Sequence, residues 1–464
     1  MDIEKQKRIR TVRVVLIDSL MALMIVVLVA ILILVVSGYR VKDGLVLEQA
    51  GLLQVSSFPS GAKVEIDGEQ VGKTEINKML DEGTYHVALY KDGYESWQKD
   101  VAISPGWLRR INYARLLLQD RKTETVRQFS SLDFLVMVPD RKHILYADKA
   151  TSWHYAEIDS EKNILDIDII NLLGDFVVAD KFSGQLTITE WNKNNDKVIV
   201  KAENGVKTQW LLVNLRKPED SVNISKKFNL EMTKVTMENN AADKLLVLAQ
   251  SNLQEVDLRR GEVSEVAMEN VADYDNDGAD IIYVSLPDAL GQKSVGVYKY
   301  GDAEPEQIYQ VEESDKAAVS AIAAYVGKKY LAFMVNDRLY VYEGDKNKLV
   351  VESDTGVLPS SLEVSRSGEF IYSRNEKTVL MIDLELLEYY VYEIDSPKLF
   401  WADDYMLAEV VDGKLNLLDF DGTNRRVPSV ADGNYGATIS DNNKYIYYIY
   451  QNNEIFELER ETID

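Results

Sequence analysis

Residues 367–385 read SGEFIYSRNEKTVLMIDLE. A polar turn at Ser367-Gly368 opens into the apolar strand Phe370-Ile371-Tyr372, and after a second polar stretch Val379 to Leu384 forms another apolar strand that ends on Asp383-Leu384. Short β-branched and aromatic runs bounded by turn-formers are β-strands. The unit recurs. Copies of its first strand are Ile144-Leu145-Tyr146, Val198-Ile199-Val200, Leu245-Leu246-Val247, Ile281-Ile282-Tyr283, Tyr330-Leu331-Ala332, Tyr405-Met406-Leu407 and Tyr445-Ile446-Tyr447. From Ile144 to Tyr445 the seven intervals average 43 residues. That period is the length of a four-stranded propeller blade, about 40 to 45 residues.

A second strand follows each copy: Trp153 to Asp159, Trp210 to Leu215, Leu253 to Leu258, Val295 to Tyr300, Leu339 to Tyr342, Val379 to Leu384, Leu415 to Phe420 and Ile455 to Leu458. Polar turns precede the first strand at Asp140-Arg141, Asn194-Asn195, Asn239-Asn240, Ser367-Gly368 and Asp441-Asn442-Asn443. The pattern is a chain of β-meanders, which predicts a closed β-propeller over residues 121–464 with eight blades, seven being the alternative. The last copy stops soon after its third strand. Residues 123–129, Thr-Glu-Thr-Val-Arg-Gln-Phe, are placed to supply its fourth and so remove an open sheet edge. No Trp-Asp or kelch signature accompanies the repeat.

Composition narrows the function classes. The chain has 464 residues, no cysteine and three histidines, His86, His143 and His154, so thiolate zinc sites, cysteine nucleophiles and multi-histidine metal centres are disfavoured. A net charge of −24 argues against nucleic acid as partner, because that binding needs many cations on phosphates. Neither a Gly-x-Ser-x-Gly elbow nor a His-Glu-x-x-His helix is present.

The N-terminus reads as a membrane anchor. Lys5, Lys7, Arg8, Arg10 and Arg13 crowd residues 1–13, and residues 14–36 are apolar except Asp18 and Ser19. Those 23 residues make a helix roughly 35 Å long, enough to cross a hydrocarbon core of about 30 Å. Asp18 lies one turn inside the basic flank, within reach of headgroups. The positive-inside bias puts the tail in the cytoplasm and the bulk of the chain outside. A cleaved signal peptide is the competing reading; its apolar region is usually shorter, and Val36-Ser37-Gly38 is a poor cleavage match. The rest of the chain carries −27, which predicts that it stands off anionic lipid. Residues 37–51 read as a linker.

Residues 52–118 read as a small all-β module, with strands at Leu52 to Ser56, Ala62 to Ile66, Thr84 to Tyr90 and Trp97 to Ile103. Its turns are Pro59-Ser60-Gly61-Ala62, Ile66-Asp67-Gly68, Gly72-Lys73-Thr74, Gly83-Thr84-Tyr85 and Gly93-Tyr94. In order and spacing these resemble the PEGA domain, with Ser60 at the family's naming glutamate and Glu75 where the family often has proline. The resemblance implies a β-sandwich-like module of surface proteins, sometimes suggested to contact envelope glycans, and no catalytic residues. Tyr85, Tyr90, Tyr94, Trp97 and Trp107 read either as a sugar-stacking platform or as core, and a module this small needs large side chains in its core. Trp107, between Pro105-Gly106 and Arg109-Arg110, is the one expected in solvent.

Within the repeats, Asp273-Tyr274-Asp275-Asn276-Asp277-Gly278 resembles a calcium loop, but Val284 stands where the bidentate Glu of an EF-hand belongs and Asp280 comes one position early for a propeller-type loop. Asp277-Gly278 also falls where other repeats place a turn, so the expectation is a turn and no metal. His143 and His154 read as structural. Asp403-Asp404 is expected to face solvent, and Tyr445, Tyr447, Tyr448 and Tyr450 to pack between blades. No catalytic or cofactor residue is assigned, and the ligand-binding residues are left open. The chain reads as a noncatalytic, single-pass surface protein whose partner is an envelope glycan or a protein. The alternatives are an extracytoplasmic hydrolase or lyase using propeller carboxylates, marked by acids with displaced pKa values, and an accessory subunit of a membrane complex, marked by a broad apolar patch.

Overall fold

The computed structural model describes residues 3–464 except 37, 43–45, 161, 179–180, 183, 300–301, 303, 313–314, 316–318, 345–346, 359–360 and 397. The chain is mainly β with one long apolar helix at its N-terminus, Ile3–Val36. The helix stretch Arg13–Val36 is long and apolar enough to cross a membrane, and its side chains are exposed. Two compact units follow from the contacts, residues 1–121 and residues 122–463, with Asp464 grouped with the first.

In the first unit, the segment 37–51 is more than a linker. Tyr39–Lys42 pairs antiparallel with Val46–Gln49, while residues 37 and 43–45 of that expected linker, like residues 1 and 2 of the basic tail, lie outside the described residues. The β module holds two sheets. Lys63–Ile66 and Gly83–Tyr90 sit between Glu69–Lys73 and Trp97–Ile103, and Gly51–Phe58 sits between Ile76–Leu80 and Leu108–Arg115, the last pair being parallel. Alternation on Gly51–Phe58 sends Leu53 and Val55 inward, and Val64, Val87, Leu89 and Ile111 of the module are buried as well. Trp97 is fully buried and stands edge-on to Tyr113 at 5.9 Å. Trp107 is 65% exposed, as expected of it.

Thr74 ties the two sheets at one corner. Its Oγ1 accepts from the Ala62 amide at 3.0 Å and shares a 2.7 Å bond with the Ser57 hydroxyl, and its own amide donates to the Ala62 carbonyl at 2.8 Å. A buried donor without a partner costs about 1–3 kcal/mol, and a valine of the same shape would leave the Ala62 amide unmet, while the Ser57 hydroxyl would keep its 2.7 Å bond to the Pro59 carbonyl.

The second unit contains eight four-stranded antiparallel sheets among the described residues. Their second and third strands coincide with the two apolar landmarks of the repeat, for example Phe370–Arg374 and Thr378–Asp383. The outer strands are the least regular: Glu363–Val364 and Thr438–Ile439 among the first strands, and Val222–Asn223 and Glu262–Val263 among the fourth, are two residues long. In the eighth sheet the fourth strand is Thr123–Phe129, paired with Ile455–Thr462, as the sequence predicts.

Each sheet packs on the next in chain order. Leu145 and Trp153 of the first meet Val198 and Leu211 of the second; Ile199 and Leu212 meet Leu245 and Val247 of the third; Leu246 and Leu253 meet Tyr274 and Ile281 of the fourth. Ile282 and Val297 meet Leu331 and Phe333 of the fifth, and Ala332 and Val341 meet Ile371 and Leu380 of the sixth. Phe370 lies 4.5 Å from Phe420 of the seventh, and Ser429 there bonds Tyr448 of the eighth at 2.6 Å. Finally Tyr447 and Ile449 of the eighth sheet pack with Ile144 and Ala156 of the first.

Thr74→Val is expected to lower the stability of the β module by about 1–3 kcal/mol. Scanning calorimetry of the full chain would register a lower melting transition for residues 50–114 and an unmoved transition for the eight sheets; a module that melts as before contradicts the role given to Thr74.

Candidate functional site

The first strands of five sheets, with the turns that follow them, line a cavity of about 680 Å³. That is in the range of small-ligand clefts. Leu135 to Arg141 come from the first sheet, Trp191 to Asn195 from the second, Val364 to Arg366 from the sixth, Leu399 to Asp404 from the seventh and Gly436 to Thr438 from the eighth. Its wall is largely apolar and aromatic, with Trp191, Tyr372, Phe400 and Trp401, and its charged side chains are Arg141, Lys193, Arg366, Asp403 and Asp404. A shallower recess adjoins it, lined by Asp140, Arg141, Lys142, Arg366, Ser367, Asp404 and Asp441.

Several of these acids are already engaged. Asp140 Oδ2 lies 2.6 Å from His143 Nδ1, and Asp140 Oδ1 accepts from the Lys142 and His143 amides. Burial works against the charged form of Asp140, but the His143 bond and those amides hold its carboxyl below the ordinary range. Lys142 Nζ meets Asp441 Oδ2 at 3.0 Å. Asp403 does not face solvent, contrary to the sequence expectation: it is buried, and its Oδ1 accepts from the Tyr405 amide at 2.8 Å and the Met406 amide at 2.7 Å. The reason is local, since Asp403, three residues before the strand Met406–Val411, caps the turn that starts it. Asp404 is half-buried on the cavity wall.

The other sequence candidates divide clearly. Asp277 and Asp280 of the calcium-like stretch both grip Lys329 Nζ, at 2.7 and 2.6 Å, and Asp273 bonds Lys234 Nζ at 2.7 Å. Asp277-Gly278 forms the turn between Val271–Asn276 and Asp280–Ser285. Among the described residues no group of three or more metal-type ligands converges. His143 stacks on Tyr155 at 4.8 Å, and His154 lies between Asp166 and Asp148 while stacking on Tyr146, all within the first sheet. His86 lies 2.7 Å from Asp100. Tyr447 and Tyr448 are buried between sheets, with the Tyr447 hydroxyl donating to Asp159 at 2.6 Å.

Four acids that sequence reading missed have strongly raised pKa values, chiefly by desolvation: Glu238 and Glu369 at about 7, and two that bridge sheets, Glu190 at about 8 and Asp275 at about 6. Both sit on first strands, half-buried by exposed area yet enclosed by protein on most sides. Glu190 Oε2 accepts from the Met237 amide of the next sheet at 2.9 Å, and Asp275 Oδ2 from the Ile322 amide of the next at 2.9 Å. The two bonds span the same separation, 47 residues. They act as fasteners between neighbouring sheets, and the only sequence signal for them is one acid near the end of a first strand in each of two repeats.

Residues 50–114 match the PEGA domain family. No curated protein matches the chain. Among solved structures, the chain is similar to the β-propeller domain of Cps50 (Swd1) from Myceliophteria thermophila at 10% identity, over 60% of this chain and 97% of that one, with a TM-score of 0.38. It is similar to an oligogalacturonate lyase in complex with manganese at 12% identity, over 73% and 98%, TM-score 0.39. It is also similar to a chain of the yeast Nup82-Nup159-Nup116 nucleoporin complex at 7% identity, over 64% and 97%, TM-score 0.42.

A carboxyl whose pKa is raised by folding binds its proton more tightly in the folded state. The stability this contributes is full below the unfolded pKa of about 4.3 and is lost as pH rises through the folded value of about 8. Glu190→Gln keeps the shape and the acceptor without the charge. It is expected to flatten the fall of melting temperature between pH 5 and pH 8; an unchanged slope contradicts the burial assigned to Glu190.

Proposed function

We propose that this chain is a noncatalytic binding protein, held in a membrane by Arg13–Val36 with its basic tail inside, that presents a PEGA-like module and a closed eight-bladed propeller outside the cell. The eight sheets packed in sequence, the eighth on the first, support reading them as blades of one ring. The observation that carries the binding reading is the cavity of about 680 Å³ built from five first strands. Loops and concave surfaces on a rigid ring are where such folds place recognition. An aromatic wall with a few charged groups suits an envelope glycan or a segment of a partner protein.

A second reading, an extracytoplasmic hydrolase or lyase, is favoured by Glu190 and Asp275, because displaced carboxyl pKa values mark acid–base sites. Their backbone partners in the next sheet favour the structural role. Glu190→Gln separates the two, since a catalytic acid would be lost with it while binding at the cavity would remain.

The chain has no cysteine, so a single one can be introduced and labelled. Full-length Lys193→Cys carrying a bulky maleimide is expected to lose retention on immobilised envelope polysaccharide or membrane extract, whereas the same label at exposed Val206 leaves it intact. Retention that survives the label at position 193 rules the cavity out as the binding site. For topology, protease added to intact cells is expected to digest residues beyond about Tyr39; full protection of that portion contradicts the orientation.

A further inference from the structure

We propose that the cavity takes an anionic saccharide, with Arg141, Lys193 and Arg366 on its acidic groups and the aromatic wall against its ring faces. The proposal rests on the binding reading above and adds the chemistry of the occupant. The chain has 76 acidic against 52 basic side chains, so carboxylates are plentiful as partners, and several cations take one. Lys142 has Asp441, Lys234 has Asp273, and Lys329 has both Asp277 and Asp280. Among the described residues, Arg141, Lys193 and Arg366 have no ion-pair partner, and all three line the one cavity. The acids beside them are mostly spoken for: Asp140 by His143, Asp441 by Lys142, and Asp403 by two backbone amides. Asp403 and Asp404 remain as opposing charges, so the cavity wall sets three cations against two carboxylates and is net positive inside a strongly negative molecule. Low-dielectric walls focus such a field on an entering anion.

The backbone at Arg141 points the same way. In five of the turns between first and second strands, one residue donates its amide to the carbonyl three residues earlier and holds a positive φ: Arg141, Asn195, Ala242, Gly368 and Asn443. Asparagine and glycine adopt this conformation readily, whereas a long side chain with φ of 61° is disfavoured. Ala242 is the other departure, and it is small. Arginine therefore occupies the position least suited to it at the place where the deep cavity and the shallow recess meet.

Shape favours a saccharide over an acidic peptide. A peptide held in a groove of strands usually extends a sheet edge. Four of the five first strands at this cavity are short, Phe134–Met137, Glu363–Val364, Leu399–Trp401 and Thr438–Ile439, and give little ladder to extend; the fifth, Gln185–Trp191, reaches the wall only with its last residue. Trp191, Phe400 and Trp401 instead are half-buried aromatic side chains on the wall, a residue type that packs on the C–H face of a sugar ring, and guanidinium groups fork onto carboxylates.

Calorimetry of the full-length chain in detergent would use three probes: a glucuronic acid trisaccharide, a glucose trisaccharide and triglutamate. The acidic trisaccharide is expected to bind, more weakly as salt rises, and the other two to bind at least tenfold less tightly. Arg141→Asn is expected to weaken the acidic trisaccharide about tenfold or more while the melting temperature stays or rises, because asparagine suits the turn. Arg366→Gln should weaken it similarly at unchanged melting temperature. Equal affinity for the neutral sugar, abolished by the bulky label at position 193, would overturn the anionic proposal and leave the cavity as a binding site. Tighter binding of triglutamate would overturn the saccharide in favour of a peptide. Failure of all three probes, together with a label at position 193 that does not affect polysaccharide capture, would overturn both readings.

Discussion

The antiparallel pairing of Thr123–Phe129 with Ile455–Thr462 is the contact on which the large unit depends. Eight meanders in a row would end in two exposed sheet edges, each a row of unpaired amides and carbonyls open to other chains. Here the opening strand of the unit completes the sheet that the final residues leave one strand short. Side chains reinforce the ladder: Arg460 reaches Glu124 at 2.6 Å, Gln128 bonds Glu457 at 2.7 Å, and Thr125 bonds Glu459 at 2.8 Å. The cavity is a product of that pairing, because Leu135 to Arg141 and Gly436 to Thr438, which share its wall, come from opposite ends of the repeat array.

Charge is distributed by role. Pairs on the surface, such as Arg338 with Asp354, contribute little once water and salt screen them. Acids withdrawn from water do more specific work. Glu190 and Asp275 receive amides from the next sheet, and Glu409, fully buried, receives the Asp395 and Ser396 amides and the Arg425 guanidinium. Each fixes one sheet or loop against another, and each makes that junction sensitive to loss of its partner. What sets Arg141, Lys193 and Arg366 apart is their gathering on one cavity wall, without an ion-pair partner among the described residues.

Much of the architecture was legible in the sequence because it is written in periodic signals. Apolar runs at 43-residue spacing marked the second and third strands, and Phe370–Arg374 with Thr378–Asp383 fell where the landmarks placed them. First and fourth strands were harder, since strands such as Glu363–Val364 are short and half exposed. In the small module, Glu69–Lys73 and Ile76–Leu80 were missed for the same reason, since they lie on sheet edges and bury little, and Leu108–Arg115 was missed although it buries Ile111, Tyr113 and Ala114, because its arginines interrupt the apolar run. The cavity was not legible at all. Its residues are scattered over five repeats and carry no local motif, and Asp403, read as solvated from its acidic neighbour, is a buried turn cap.

The central claim is that the first and last strands of the large unit are neighbours, and a chain without cysteine allows a direct test. Gln128 and Glu457 are opposite partners in the ladder, on the solvent side. With Gln128→Cys and Glu457→Cys combined, mild oxidation should give a disulfide within one molecule in nearly the whole population, cyclising the unit and raising its melting temperature. Free thiols after oxidation, or bridges formed only between molecules, would mean that the two strands do not meet.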